Sequence, residues 1–298
     1  MSAAHRHGYL VLDKPRGWTS HDVVARVRRI VGERRVGHAG TLDPEATGVL
    51  PIAVGNATRT LEYLADASKT YLAEITLGVE TDSYDADGAV VATVDPSKVT
   101  QESIEQHLAA FRGTITQLPP MYSAIHVDGK RLYELARQGK TVERTPRQIT
   151  VRRLEIENWQ PPVVSLVVDC SKGTYVRSLA HDLGRALGVG GMLSNLTRTR
   201  SGPFHLTGAI TLAELEYAMS VQPWAAIAYH PDVAAQHLPA ATLSVDQSRR
   251  WKLGQALDIE PTSTGVHRVY DEAGTWVGMG LVETKTRRIK PMKVVLAT

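Results

Sequence analysis

The sequence predicts an α+β fold, and three observations lead there. Residues 8–12, 71–77 and 163–168 are short runs of alternating or β-branched apolar residues, the pattern of strands. Between them, Val23, Val24, Val27, Ile30 and Val31, then Val99, Ile104, Leu108 and Phe111, then Leu179, Leu183 and Leu187, recur at the spacing that lines one face of a helix. From about Leu243 the texture changes to short strands and turns. With 298 residues and 43% hydrophobic content, the chain can bury one large core and a second, smaller one.

The first strand runs into the turn chemistry of Asp13, Lys14, Pro15, Arg16 and Gly17. Thr19 or Ser20 is placed to cap the next helix, which ends near Gly32. A helix is expected over 55–64, with Leu61 and Leu64 inward, before the strand at 71–77. Residues 82–88, DSYDADG, have the acidic spacing of a calcium loop, yet Val94 stands where that loop needs a glutamate. A hairpin turn between 75–79 and 89–94 is the better reading. A helix follows over 96–111, closed by Gly113.

Residues 117–147 differ in kind: basic side chains alternate with Tyr122 and Tyr133, and few residues can build a core. Residues 171–174 then turn the strand at 163–168 into a helix over 175–187. Arg177 falls in its first turn, where the helix dipole disfavours a cation and a carboxylate partner would compensate. Residues 238–242 read as a linker. Strands are expected at 253–257, 266–270, 276–281 and 285–295, with a turn at 271–274.

Cys170 is the single cysteine, which excludes an intramolecular disulfide and any multi-cysteine metal site. No apolar stretch approaches a membrane span, and the N-terminus has no secretory pattern, so a cytoplasmic, reduced setting is expected. The net charge of +3 conceals a partition. Residues 1–37 and 117–153 each carry eight Lys/Arg against three Asp/Glu, whereas 60–116 carry three against ten. That distribution suits a polyanion gripped on one face, although a solvated surface accounts for the same charges.

Residues 36–51, VGHAGTLDPEATGVLP, form a loop around Asp43. Gly37, Gly40 and Gly48 permit close backbone approach, and Pro44 fixes the direction of Asp43. Local pattern alone favours an Asx turn, with Asp43 satisfying nearby N–H groups. The segment GHAGTLDPEATGVL, however, resembles the catalytic motif of the TruB family of tRNA pseudouridine synthases. DKPRGWTSHDVV at 13–24, the Tyr71 segment and SKGTYVRSLAHDLG at 171–184 extend the resemblance over most of the chain.

The resemblance implies a pseudouridine synthase fold: a mixed, largely antiparallel central sheet flanked by helices, and a small PUA-like β-barrel at the C-terminus. It divides the chain into a catalytic domain at 1–237, carrying an RNA-binding thumb at 117–147, and an RNA-binding module at 243–298. The implied reaction isomerises the uridine at position 55 in the T-loop of tRNA. Asp43 would attack the nucleoside or abstract a proton from it, Tyr71 would stack on the flipped base, and Arg177 would orient Asp43. His38, Gly40, Thr41, Lys14, Leu196, Lys130, Arg131 and Arg198 would meet the RNA, with Leu196 as an apolar wall and Arg198 and Arg200 for phosphates. Lys14 and Pro15 would also support the catalytic loop. No cofactor or metal is implied, and the expected partner is the T-arm stem-loop, bound by a monomer.

Two other classes compete. A glycoside hydrolase needs a second carboxylate across the bond, and Glu45 lies too close along the loop to form an opposite wall. A non-catalytic RNA-binding protein explains the basic segments but gives no reason for a rigid carboxylate, which repels RNA.

Overall fold

A computed structural model describes residues 6–295 except Ala124, Asp128, Thr141, Pro261 and Thr262, and leaves the side chains of Val127, Lys130 and Arg137 undescribed. The first half comprises β1 (Gly8–Lys14), α1 (Ser20–Val31), β2 (Val36–His38), β3 (Thr47–Val54), α2 (Leu61–Ala65), β4 (Lys69–Leu77), β5 (Val79–Thr81), β6 (Val90–Thr93), α3 (Gln101–Leu108) and β7 (Gly113–Gln117). There follow β8 (His126–Val127), β9 (Lys130–Arg131), α4 (Leu132–Arg137), β10 (Arg147–Gln160), β11 (Val163–Cys170), α5 (Val176–Ala186), β12 (Gly191–Ser201), β13 (Phe204–His205), α6 (Leu212–Val221) and α7 (Trp224–Ile227). The C-terminal part holds β14 (Ala240–Leu243), α8 (Val245–Lys252), β15 (Leu257–Asp258), β16 (Gly265–Asp271), β17 (Trp276–Glu283) and β18 (Arg288–Val294).

The fold is α+β with a mixed, largely antiparallel central sheet. Its strand order is β1-β3-β12-β4-β11-β10-β7, with β2 on β3 and β13 on β12. The parallel junction is β3 with β12, pairing Thr47 with Thr197 and Gly48 with Arg198. Strand alternation sorts the edge of this sheet between two cores, as the two-residue period of a strand requires. Leu10 and Leu12 of β1, with Leu50 and Ile52 of β3, meet the Val23, Val27 and Val31 stripe of α1, while Tyr9, Val11, Val49 and Ala53 face the opposite way. A third core joins Ala73, Ile75 and Leu77 of β4 to Leu179 and Leu183 of α5.

Helix α1 begins at Thr19, whose hydroxyl accepts from the Asp22 N–H while Asp22 bonds back in a capping box, and ends at Gly32 at φ 65°. The expected helix over 55–64 is instead a 3₁₀ segment, Gly55–Thr60, followed by the short α2. Thr58 and Thr60 bond to the carbonyls of Gly55 and Ala57 three residues back, a local competition that tightens the turn. The hairpin is present, but it joins β5 to β6.

The C-terminal sheet, ordered β14-β16-β17-β18-β15, curls into a half-barrel. Two expectations need correction here. Residues 240–242 of the expected linker enter the sheet in β14, parallel to β16, and the strand expected at 253–257 is a turn that follows α8 and reaches the brief β15 only at Leu257. Trp251 of α8, fully buried, donates its indole N–H to Val277 O at 2.9 Å and centres the core of Leu243, Leu257, Val269, Val282 and Ile289. The half-barrel docks through Trp276, Met279 and Val295 against Ala235, with Tyr63 and Leu238 alongside.

Gly48 is the tightest point of the parallel junction. Its φ is 95°, and a Cβ there would lie 2.3 Å from Arg198 O. Gly48→Ala should therefore cost about 2 kcal/mol or more of stability. A urea midpoint equal to wild type at unchanged slope would contradict this packing.

Candidate active site

The candidate site is built on the loop between β2 and β3. Ser20 Oγ, buried at the start of α1, accepts the Leu42 N–H at 3.0 Å and donates to Leu42 O at 3.2 Å. Gly17 N–H donates to Pro44 O at 2.9 Å, and the Ala46 N–H returns to Asp43 O at 3.1 Å. Asp43 is thus fixed on both sides while its side chain stays 47% exposed.

Arg177, in the first turn of α5 and only 8% exposed, answers that carboxylate. Its Nη2 lies 3.0 Å from Asp43 Oδ2 and also donates to Tyr122 O at 2.9 Å. Its Nη1 reaches Asp85 Oδ2 at 3.2 Å and Ser83 O at 3.5 Å. The planar guanidinium therefore joins three chain segments, which a point ammonium cannot do. Helix α5 is held at its start by Gln117, whose side chain accepts the Tyr175 N–H and donates to Tyr175 O, at 2.8 and 2.9 Å.

Asp85 was not legible as a site residue. Its segment reads as a turn, and a turn it is, but Ser83 Oγ donates to Asp85 Oδ1 at 2.5 Å and aims the other oxygen at Arg177. Ala86 N–H and Leu193 N–H tie the loop to β12, and Tyr84 stacks on His181 of α5 at 3.9 Å between ring centroids.

Tyr71 sits on β4 between Val168 of β11 and Arg198 of β12. Together with Leu196 it fringes the α5 core. Burial raises the pKa of the Tyr71 phenol, against the lowering influence of the Arg198 charge. Gly40, at φ 82°, passes so close to Arg198 that a Cβ would lie 3.3 Å from Nη1, and Thr41 beside it is exposed. His38 packs edge-on against His21 with centroids 5.4 Å apart, and its buried Nδ1 has no hydrogen-bond partner among the described residues. Burial, with the His21 and Arg198 charges, lowers the His38 pKa to about 4.

Two residues expected to meet RNA are buried struts. Lys14 is fully buried and spends its three N–H donors on the carbonyls of Pro15, Trp18 and Pro44, at 2.9, 2.6 and 2.8 Å. Desolvation lowers its pKa to about 8. Arg198, 1% exposed, donates to Val49 O at 2.7 Å and Gly40 O at 2.9 Å. Arg200 is similarly engaged by Asp169, Thr70, Ser68 and Gly202. The Lys14 and Arg198 side chains keep their charge but are buried beneath the surface, so neither is placed to make a direct contact with a phosphate. Arg131 is exposed on the β8–β9 hairpin, with its guanidinium over Tyr133 at 5.8 Å, and the Lys130 side chain lies outside the described residues. Among the described residues no group of three His, Cys, Asp or Glu side chains could hold a metal ion, and no helix is long and apolar enough to cross a membrane.

Comparison with known proteins agrees with this geometry. Residues 28–176 match the model of the TruB family pseudouridylate synthase N-terminal domain, residues 177–225 that of the tRNA pseudouridylate synthase B C-terminal domain, and residues 239–295 that of the C-terminal domain of pseudouridine synthase II TruB. The tRNA pseudouridine synthase B of Symbiobacterium thermophilum is 53% identical over 80% of this chain and 82% of its own. That of Trichormus variabilis is 42% identical over 96% and 98%. A solved H/ACA ribonucleoprotein bound to a substrate RNA containing 2′-deoxyuridine superposes with a TM-score of 0.74 at 27% identity, over 97% of this chain and 85% of that one. The fold is that of a pseudouridine synthase, an isomerase. The chain belongs to the TruB family of pseudouridylate synthases.

The lowered His38 pKa has a defined consequence for stability. The unfolded chain, with an ordinary pKa of 6.5, binds more protons than the folded one between pH 6.5 and about 4, so this contribution is lost on acidification. His38→Gln should flatten the fall in melting temperature across that window. Parallel pH profiles for the two proteins would show that the imidazole is not held neutral by the fold.

Proposed function

We propose that the chain converts the uridine at position 55 in the T-loop of tRNA to pseudouridine. The observation that carries this reading is a half-exposed carboxylate, Asp43, fixed on both sides by backbone bonds and paired with the buried guanidinium of Arg177 at 3.0 Å. The relatives named tRNA pseudouridine synthase B support tRNA as the substrate.

The isomerisation breaks the N-glycosidic bond, turns the uracil and rejoins it through C5 without redox change. A target base in a folded loop must first be flipped out, and the site must replace its lost stacking and pairing. Asp43 supplies the carboxylate that attacks the nucleoside or removes its proton. Tyr71 provides the face on which the base stacks, and Leu196 the apolar wall beside it. Arg177 orients Asp43, and Asp85 balances the second edge of the same guanidinium. His38, Gly40 and Thr41 line the loop that receives the nucleotide. Lys130 and Arg131, in the thumb at 117–147, together with the module at 243–298, grip the RNA outside a catalytic domain at 1–237. The enzyme works as a cytoplasmic monomer.

Hydrolysis is disfavoured by the same geometry. Asp85 is a second carboxylate, but it shares Arg177 with Asp43, whereas a glycosidase needs its carboxyl groups facing each other across the bond.

Incubation with an unmodified tRNA transcript should produce one carbodiimide-dependent reverse-transcription stop at the T-loop uridine. A stop elsewhere, or none, refutes the assignment. Asp43→Asn should abolish that stop while leaving tRNA affinity within a few-fold, because only the nucleophilic charge is lost. Arg177→Lys should fall at least a hundredfold in single-turnover rate. Near-normal turnover by either variant would remove that residue from the mechanism.

A further inference from the structure

We propose that Trp18 is a stacking platform for an unpaired nucleotide next to the flipped uridine. The inference rests on the reading of the chain as an RNA isomerase, and it assigns a base-binding position to a residue whose fold role ends at its backbone. The Trp18 carbonyl is held by Lys14 Nζ at 2.6 Å, and the same nitrogen holds Pro44 O at 2.8 Å. Pro44 follows Asp43 directly, and Gly17, which precedes Trp18, donates to the same Pro44 carbonyl at 2.9 Å. One buried ammonium thus places the Trp18 backbone beside the catalytic loop.

The side chain is another matter. The residue is 39% exposed, and its backbone lies beside the loop that carries Asp43. An exposed indole on a backbone anchored beside the Asp43 loop offers a large π-face with few rotatable bonds, which is what an unstacked base requires. Its surroundings match that ligand. Arg16, two residues earlier, is half-exposed, with one guanidinium nitrogen on Asn195 Oδ1 at 2.5 Å and the other 3.6 Å from Glu45. Exposed His21 follows on the first turn of α1, packed edge-on against His38 of the catalytic loop. Flipping one nucleotide out of a folded loop unstacks its neighbours, so the enzyme needs a surface to receive them.

The test uses the full chain and a T-arm stem-loop carrying 2-aminopurine at each loop nucleotide flanking the target in turn. One position should be quenched on binding by the wild type and by Trp18→Phe, and that quench should be relieved in Trp18→Ala. Trp18→Ala should also bind about tenfold or more weakly, Phe should restore most of the affinity, and all three proteins should show the same salt dependence, since stacking releases no counterions. Equal affinity and quenching across the three proteins would overturn the proposal, as would a loss that phenylalanine does not rescue. If the wild type itself fails to bind the stem-loop, it is the tRNA reading that falls.

Discussion

Buried cations solvated by backbone carbonyls hold this active site together. Lys14, Lys69 and Arg198 are all nearly inaccessible, and each donates to main-chain oxygens. Burying a charge is costly unless every donor is satisfied, so such a group is stable only while its carbonyls stay in place. The dependence runs both ways. The carbonyls of Pro44, Gly40 and Val49 are kept where the lysine and arginine need them, and those residues bracket Asp43. A loop rich in glycine has little conformational preference of its own and takes its shape from these fixed charges.

The single parallel pairing in the path of the central sheet serves the same end. β3 leaves the catalytic loop and runs beside β12, which carries Leu196 and Arg198, so the loop and the far wall of the cleft are joined at Gly48 within one backbone contact. β4 lies on the other side of β12 and brings Tyr71 into the same row. The residues of the site come from distant parts of the sequence, yet they occupy adjacent strands.

Much of this was legible in the amino-acid order, and the failures have a common cause. Periodicity located α1, β4, β11 and α5, and capping chemistry set the ends of α1, because those signals are local. The glycine-rich motif around Asp43 and the placement of Arg177 at a helix start pointed to the carboxylate–guanidinium pair that the structure brings together. What sequence could not give was the fate of a charge. Lys14 was expected to support the loop as well as to meet RNA, and Arg198 to meet phosphate; burial leaves both as supports bonded to main-chain carbonyls. Asp85 erred the other way: a turn residue by local chemistry became a partner of Arg177 through a contact across 92 positions of sequence. The strand expected at 253–257 is a turn, because α8 ends just before it and Gly254, at φ 78°, carries the chain round to β15.

Arg177 Nη2 is shared between the Asp43 carboxylate and the carbonyl of Tyr122. Tyr122 belongs to the segment that leads out to the β8–β9 hairpin and α4. A single nitrogen is therefore a thermodynamic link between the Asp43 carboxylate and one of the two basic segments of the chain. Linkage is reciprocal: whatever biases the hairpin toward one arrangement changes the free energy of placing Asp43, and whatever occupies Asp43 changes the hairpin by the same amount.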